Sequence, residues 1–516
     1  MARVVHVAHV CAVALLLSTG AAADEPDDEI IIIEDEDAEP RVPASQVTGA
    51  LGRLWETWHV GADSDLLGSL QLVEPADGNW RLLGSFWVES SLLPAPNLSV
   101  HANGFARLAL DATPTGRLVP SADLYEAYAK LTLERAAVNA GRIVVPWVRT
   151  QAAAIGDRVS PPDLRRGPPF PDPVRQKQPS WGAWVRTSLG PVGVEGIAMA
   201  QYEPSEGSLA AANQGGVRVA RYQTALVRSP ARAGGLLVED DTSALRGDYE
   251  FARTGTLAAR ASRRLGGVDL GGSVVWGFDE TPRLHLRPDV ARALVAEVAA
   301  LLPGEELPLA CAAPDLACVG GSGTLDYQRQ TSFSVDASWG FGVVIVRAEA
   351  LVVPKLGGLG GKQALLLDAQ GLRSEPVSQY AAVLAAEGGL GDWIDGSVEL
   401  FDVVWDGVPA DAKLWGVELL GDLGAVGGSD TRMVHRVATA LSVGGAFAGD
   451  RVAWKVRGEA GVLQPDVLVA AELRYRFPAL GLYVGGRSEL YTGMAGSPGW
   501  MRQDASMVGV FVGEGG

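Results

Sequence analysis

The groups able to do chemistry in this chain are few, and their spacing argues for water and charge rather than for catalysis. Beyond residue 23 the histidines are His59, His101, His285 and His435, scattered along the chain with no shared motif. No G-x-S-x-G elbow, H-E-x-x-H pair or phosphate-binding loop is present, so the sequence predicts no enzyme, no metal centre and no cofactor. Two cysteines follow residue 23, Cys311 and Cys318. In an oxidising compartment they read as a local disulfide, worth about 2–3 kcal/mol by chain entropy. What recurs is charge at every second position. Arg107, Glu126, Lys130, Arg347, Glu349, Lys455, Arg457, Glu459, Glu472 and Arg474 all alternate with apolar neighbours, as do Arg260, Asp395, Glu399 and Arg476. Such residues belong to one face of long strands. Charges of both signs are tolerable there if that face is wet or internally paired, because an unpaired charge in a dry interior costs several kcal/mol. They are therefore the candidate lining of a pore.

The elements that would carry these residues follow from the same period of two. From Leu98 to Asp111 the even positions are apolar or small and the odd positions mostly polar. The same alternation recurs at Tyr125–Glu134, Thr331–Trp339, Arg451–Val462 and Ala471–Phe477. These runs exceed the usual soluble strand of about 5–6 residues and match the roughly 9–11 residues needed to cross a membrane at a tilt. The predicted fold class is all-β, a transmembrane antiparallel up-and-down β-barrel of about 16–18 strands with long loops. Nineteen segments qualify as strands, and residues 66–74 and 412–420 are the weakest of them. A closed barrel of this kind has an even number, so at least one segment is surplus. Long insertions fall at 147–180, 203–246, 279–324, 355–376 and 405–430. Counting all nineteen segments does not bring these five to one end. A short loop helix is expected near 288–302.

Residues 1–23 read as a secretory signal peptide, with Arg3 before an apolar stretch and Ala21 and Ala23 at the cleavage site. Residues 24–50 form an acidic leader, which is predicted to be disordered. Ten acidic residues lie between Asp24 and Glu39 around Ile30–Ile33, so much of the net charge of −18 sits in this stretch. The leader is either a solvated tail or a strand-forming segment offered to a periplasmic partner. Residues 51–516 are the barrel. The acidic balance excludes nucleic acid as a partner. The expected surroundings are outer-membrane lipid, the expected location is the outer membrane of a Gram-negative bacterium, and small polar solutes are candidate cargo. A closed barrel serving as a structural or receptor component remains the alternative.

One stretch resembles a known family. Ala122–Pro173 contains Glu126-Ala127-Tyr128 on a strand, then Gly141-Arg142 leading to Trp147, then Gly156-Asp157 and Pro161-Pro162-Asp163-Leu164-Arg165. It is similar to an uncharacterised family of Gram-negative outer-membrane barrels and, more loosely, to alginate-export porins. Pro146-Trp147-Val148 departs from the small polar turn such proteins carry. The Pro-rich loop, with Asp157, Asp163, Arg165 and Arg166, is stiffened by fixed φ angles. It either folds into the barrel as a constriction or lies over the rim.

Overall fold

In a computed structural model, the described residues comprise the strands and most of their short connections between residues 58 and 514. Residues 1–57, 148–154, 161–176, 201–237, 241–254, 287–322, 419–430 and 495–506, with some shorter stretches, lie outside the described residues. The signal peptide, the acidic leader, the loop helix and the Cys311/Cys318 pair belong to that remainder.

Strong β-formers at alternate positions produce long strands here, and each strand finds its neighbour across a tight turn. In chain order they are β1 Leu67–Leu72, β2 Arg81–Ala95, β3 Leu98–Asp111, β4 Leu118–Leu133, β5 Ala136–Ile143 and β6 Ser180–Leu189. Then come β7 Val192–Met199, β8 Thr256–Leu265, β9 Val268–Phe278, β10 Arg329–Phe341, β11 Val344–Val353 and β12 Gly371–Gly389. The last six are β13 Ile394–Pro409, β14 Thr431–Phe447, β15 Val452–Gly461, β16 Asp466–Phe477, β17 Leu482–Gly493 and β18 Met507–Glu514. Every consecutive pair is antiparallel, and β18 pairs back onto β1 through Leu70 and Val510. The sheet has 21 strands. Trp58–His59, Lys362–Asp368 and Lys413–Leu414 attach to its side, and among the described residues the other eighteen pair in a closed ring.

The ring corrects one sequence expectation and bears out another. Residues 412–420 contribute only the two-residue pairing Lys413–Leu414, against Leu366 and Leu367, and are not a barrel strand. The weak segment at 66–74 does form β1, the strand that closes the ring. With 412–420 removed, the parity difficulty disappears and all five long insertions leave from one end. The opposite end has only short turns, such as those at 134–135, 190–191, 266–267 and 342–343. Within the 355–376 insertion, Lys362–Asp368 folds back on the first half of β12 and extends that wall beyond the ring. At that level Ala364, Leu366, Val377, Val408, Leu414 and Val434 pack into a small apolar core.

Tyr125 also departs from its expected place on the outer apolar face. A bulge sets Asn103 opposite Glu126 but Gly104 opposite Leu124, and Tyr125 turns in to be buried against Val144. One glycine is demanded by backbone geometry. Gly141 has φ of 141°, and a Cβ there would sit 2.2 Å from the carbonyl oxygen of Ala127.

Candidate functional site

Directly opposed residues in an antiparallel ladder share a face, so the registers assign every strand residue to one side of the wall. One face carries exposed large apolar groups, among them Leu270, Val274, Phe333, Val335, Leu384, Val398, Leu400, Leu441, Leu473 and Leu490. Near the short-turn end this face ends in aromatic residues. Trp339 and Phe341 lie with ring centroids 3.9 Å apart, Tyr475 and Phe477 4.7 Å apart, and Trp393 and Phe447 stand exposed at the same level. An apolar band bounded by aromatics is the surface a bilayer requires.

The other face holds the charges. Through the registers, Glu126, Lys130, Arg347, Glu349, Lys455, Arg457, Glu459, Glu472 and Arg474 all fall on it. Arg107, opposite Ser121, has the same parity, although its side chain lies outside the described residues. The face also carries groups that were not singled out from sequence: Glu195, Asp336, Glu387, Arg436, Arg487 and Glu489. Their signal was the same alternation, extended one strand further on each side.

Several of these charges are paired across the wall. Arg260 on β8 reaches over Gly271 to Asp336 on β10 at 3.0 Å, and Arg436 meets Glu459 at 2.6 Å. Arg347 pairs with Glu387, and Glu472 is shared by Arg474 and by Arg487, the latter at 3.5 Å. Other charges on this face enter no ion pair or hydrogen bond among the described residues: Lys130, Asp395, Lys455 and Arg457. Lys455 stands directly opposite Glu472 in the register, yet the arginines hold that carboxylate.

The described residues that follow β5, 144–147, 155 and 158–160, fold against this charged face. Val144 N donates to Glu126 Oε1 at 2.9 Å, and the Glu126 carboxylate also accepts from Asn103 Nδ2 at 3.1 Å. Val145 N donates to Ser160 Oγ at 3.0 Å. The indole of Trp147 donates to Glu195 at 3.0 Å, and that of Trp184 to the same oxygen at 2.9 Å. Trp147 and Val159 pack with Ile143, Ile197, Met199, Ala258 and Val275. Further round the ring, Ile155 packs with Leu351, Val353, Ala381, Val383, Phe401 and Ala438, and Arg158 donates to Gln379 Oε1 at 3.1 Å. These wall residues have the parity of the charged face, and they run from β4 to β14. A segment that touches so many strands on a single face of a closed ring lies inside it.

Of the residues proposed for a constriction, Asp157, Asp163, Arg165 and Arg166 fall outside the described residues. Their neighbours Ile155, Arg158 and Ser160 lie within. Near the end of the same insertion, Lys177 is buried beside the buried Glu349.

A closed ring with an apolar outer face, an aromatic border and a charged inner face is a transmembrane β-barrel, and among bacterial proteins that architecture belongs to the outer membrane. No protein-family model matches the chain, and no curated protein matches it in sequence. Among solved structures it is similar to OccAB4 of Acinetobacter baumannii, with a TM-score of 0.41, 8% identity and coverage of 86% of this chain and 93% of the other. It is also similar to the outer membrane protein OpdK of Pseudomonas aeruginosa, with a TM-score of 0.38, 11% identity and coverage of 84% and 91%. The Salmonella typhi OmpF structure, a complex with daunomycin, gives a TM-score of 0.38, 8% identity and coverage of 86% and 94%.

Proposed function

We propose that the barrel is a porin-like channel for small polar solutes, narrowed on one side by the inserted segment around 144–160. The observation that carries this reading is the set of inner-face charges that enter no ion pair among the described residues, Lys130, Asp395, Lys455 and Arg457. A closed structural barrel would need its interior neutralised, because uncompensated charge in a dry medium costs several kcal/mol. A water-filled lumen removes that cost, and eighteen strands enclose enough width for one. On this reading the residues with inward parity, from Arg107 to Arg474, line the path. Pairs such as Arg260–Asp336 and Arg436–Glu459 hold its wall in shape. On the residues of Ala122–Pro173 alone, we also propose kinship with alginate-export porins.

Recording refolded protein in planar bilayers tests the function. Stepwise conductance is expected, at levels comparable to those of a general porin in the same salt. A correctly folded, heat-modifiable barrel that inserts and does not conduct would leave the closed, structural reading in its place.

A further inference from the structure

Near the short-turn end the inner wall contains a concavity of about 460 Å³, whose charged lining is Asp395, Lys455, Glu472 and Arg474. Pockets that hold small molecules are typically about 300–1,000 Å³. It lies at one level of the barrel, where the registers run Asp395 opposite Gly444, Gly444 opposite Lys455 and Lys455 opposite Glu472. Gly444 makes the gap. A Cβ on it would stand 3.6 Å from Asp395 Oδ1, 3.6 Å from Lys455 Cγ and 3.1 Å from the Trp454 carbonyl oxygen, so any larger side chain would fill the space between the two charges.

Asp395 and Lys455 are two strands apart, roughly 10 Å between backbones. They form no ion pair with each other or with any other described residue, and Glu472 is held by Arg474 and Arg487. The pocket therefore presents one negative and one positive group on either side of a vacancy. A simple anion seated there would gain from Lys455 and be repelled by Asp395, and a simple cation would meet the reverse. A neutral solute could hydrogen-bond to either group but would bring no charge to neutralise them. A molecule carrying both signs satisfies both poles.

We propose that this pocket is a recognition site for a small zwitterion, with its carboxylate toward Lys455 and its ammonium toward Asp395. The inference rests on the water-filled lumen of the proposed channel, since the charged lining residues all have the parity of the inner face.

Titration calorimetry on the refolded barrel, with glycine, acetate, methylammonium and glycerol as separate probes, tests it alongside block of bilayer current by the same four. Glycine is expected to bind at least tenfold more tightly than the others. Asp395→Asn keeps the side-chain size, Lys455→Gln shortens the chain but stays polar, and both face water. Each should lower glycine affinity about tenfold, the first moving preference toward acetate and the second toward methylammonium. Equal binding of all four probes to the wild type, or glycine affinity unchanged in both variants, would overturn the proposal while leaving conduction intact. Glycine binding by calorimetry in a barrel that carries no current would instead sink the channel reading and keep the site. Should either variant fail to fold, the wild-type comparison decides alone.

Discussion

Lys177 shows what a single residue contributes here. It belongs to the inserted segment rather than to a membrane-crossing strand. Burial pushes its ammonium down from the ordinary 10.5 to about 7, while the Glu349 carboxylate beside it pulls the other way. The sign follows from linkage. With a folded-state value below the unfolded one, the docked segment gains stability as pH rises from about 7 toward 10.5, and below about 7 that gain is absent. Raising pH through 7 also removes a positive charge from the lumen next to Glu349. The ratio of cation to anion permeability should therefore increase between about pH 6 and 8 in reversal-potential measurements, and Lys177→Met should flatten the curve. A step that persists in the variant would assign the titration elsewhere. The parity of charged residues was legible in the sequence, and it placed Glu126 on the inner face. Its hydrogen bonds to Asn103 and to the Val144 amide were not legible, because they depend on a bulge and on a segment that turns inward.

Among the elements, the segment at 144–160 is decisive. The prolines that mark the insertion as stiff lie beyond this segment in sequence, and the place of its described residues depends on partners contributed by strands far along the chain. Ile155 finds Leu351 and Phe401, and Arg158 finds Gln379, contacts with no local signature. Truncating a buried isoleucine costs about 2–5 kcal/mol in a well-packed core. Ile155→Ala is expected to loosen the segment and raise single-channel conductance, while heat-modifiable migration of the barrel stays unchanged. Conductance equal to that of the wild type would mean that the segment does not restrict the path. The stretch at 412–420 misled in the opposite direction. Its apolar alternation serves the small core around Leu366, Val408 and Leu414 beyond the ring, where a strand of two residues suffices.

For the whole molecule, closure is what matters. The pairing of β18 with β1 joins the two ends of the sheet in the bilayer, where each unsatisfied amide costs several kcal/mol. Deleting 507–516 should expose β17 and β1 together and abolish heat-modifiable migration on gels. A truncated chain that still migrated as a compact barrel would show that the ring can close without β18.

Outside the bulge at Tyr125, the sequence by itself separated, through its alternation, the residues that face lipid from those that face the inside, because an apolar outside is compulsory in a membrane. It also bounded the strand number, through length and the requirement for an even count. Tertiary structure decided which segment was surplus, that the long connections share one end, and that the described residues after β5 pack on the inner face. It also decided which inner charges neutralise each other and which stand apart. These depend on register and on contacts between residues distant in the chain, which a period of two does not encode.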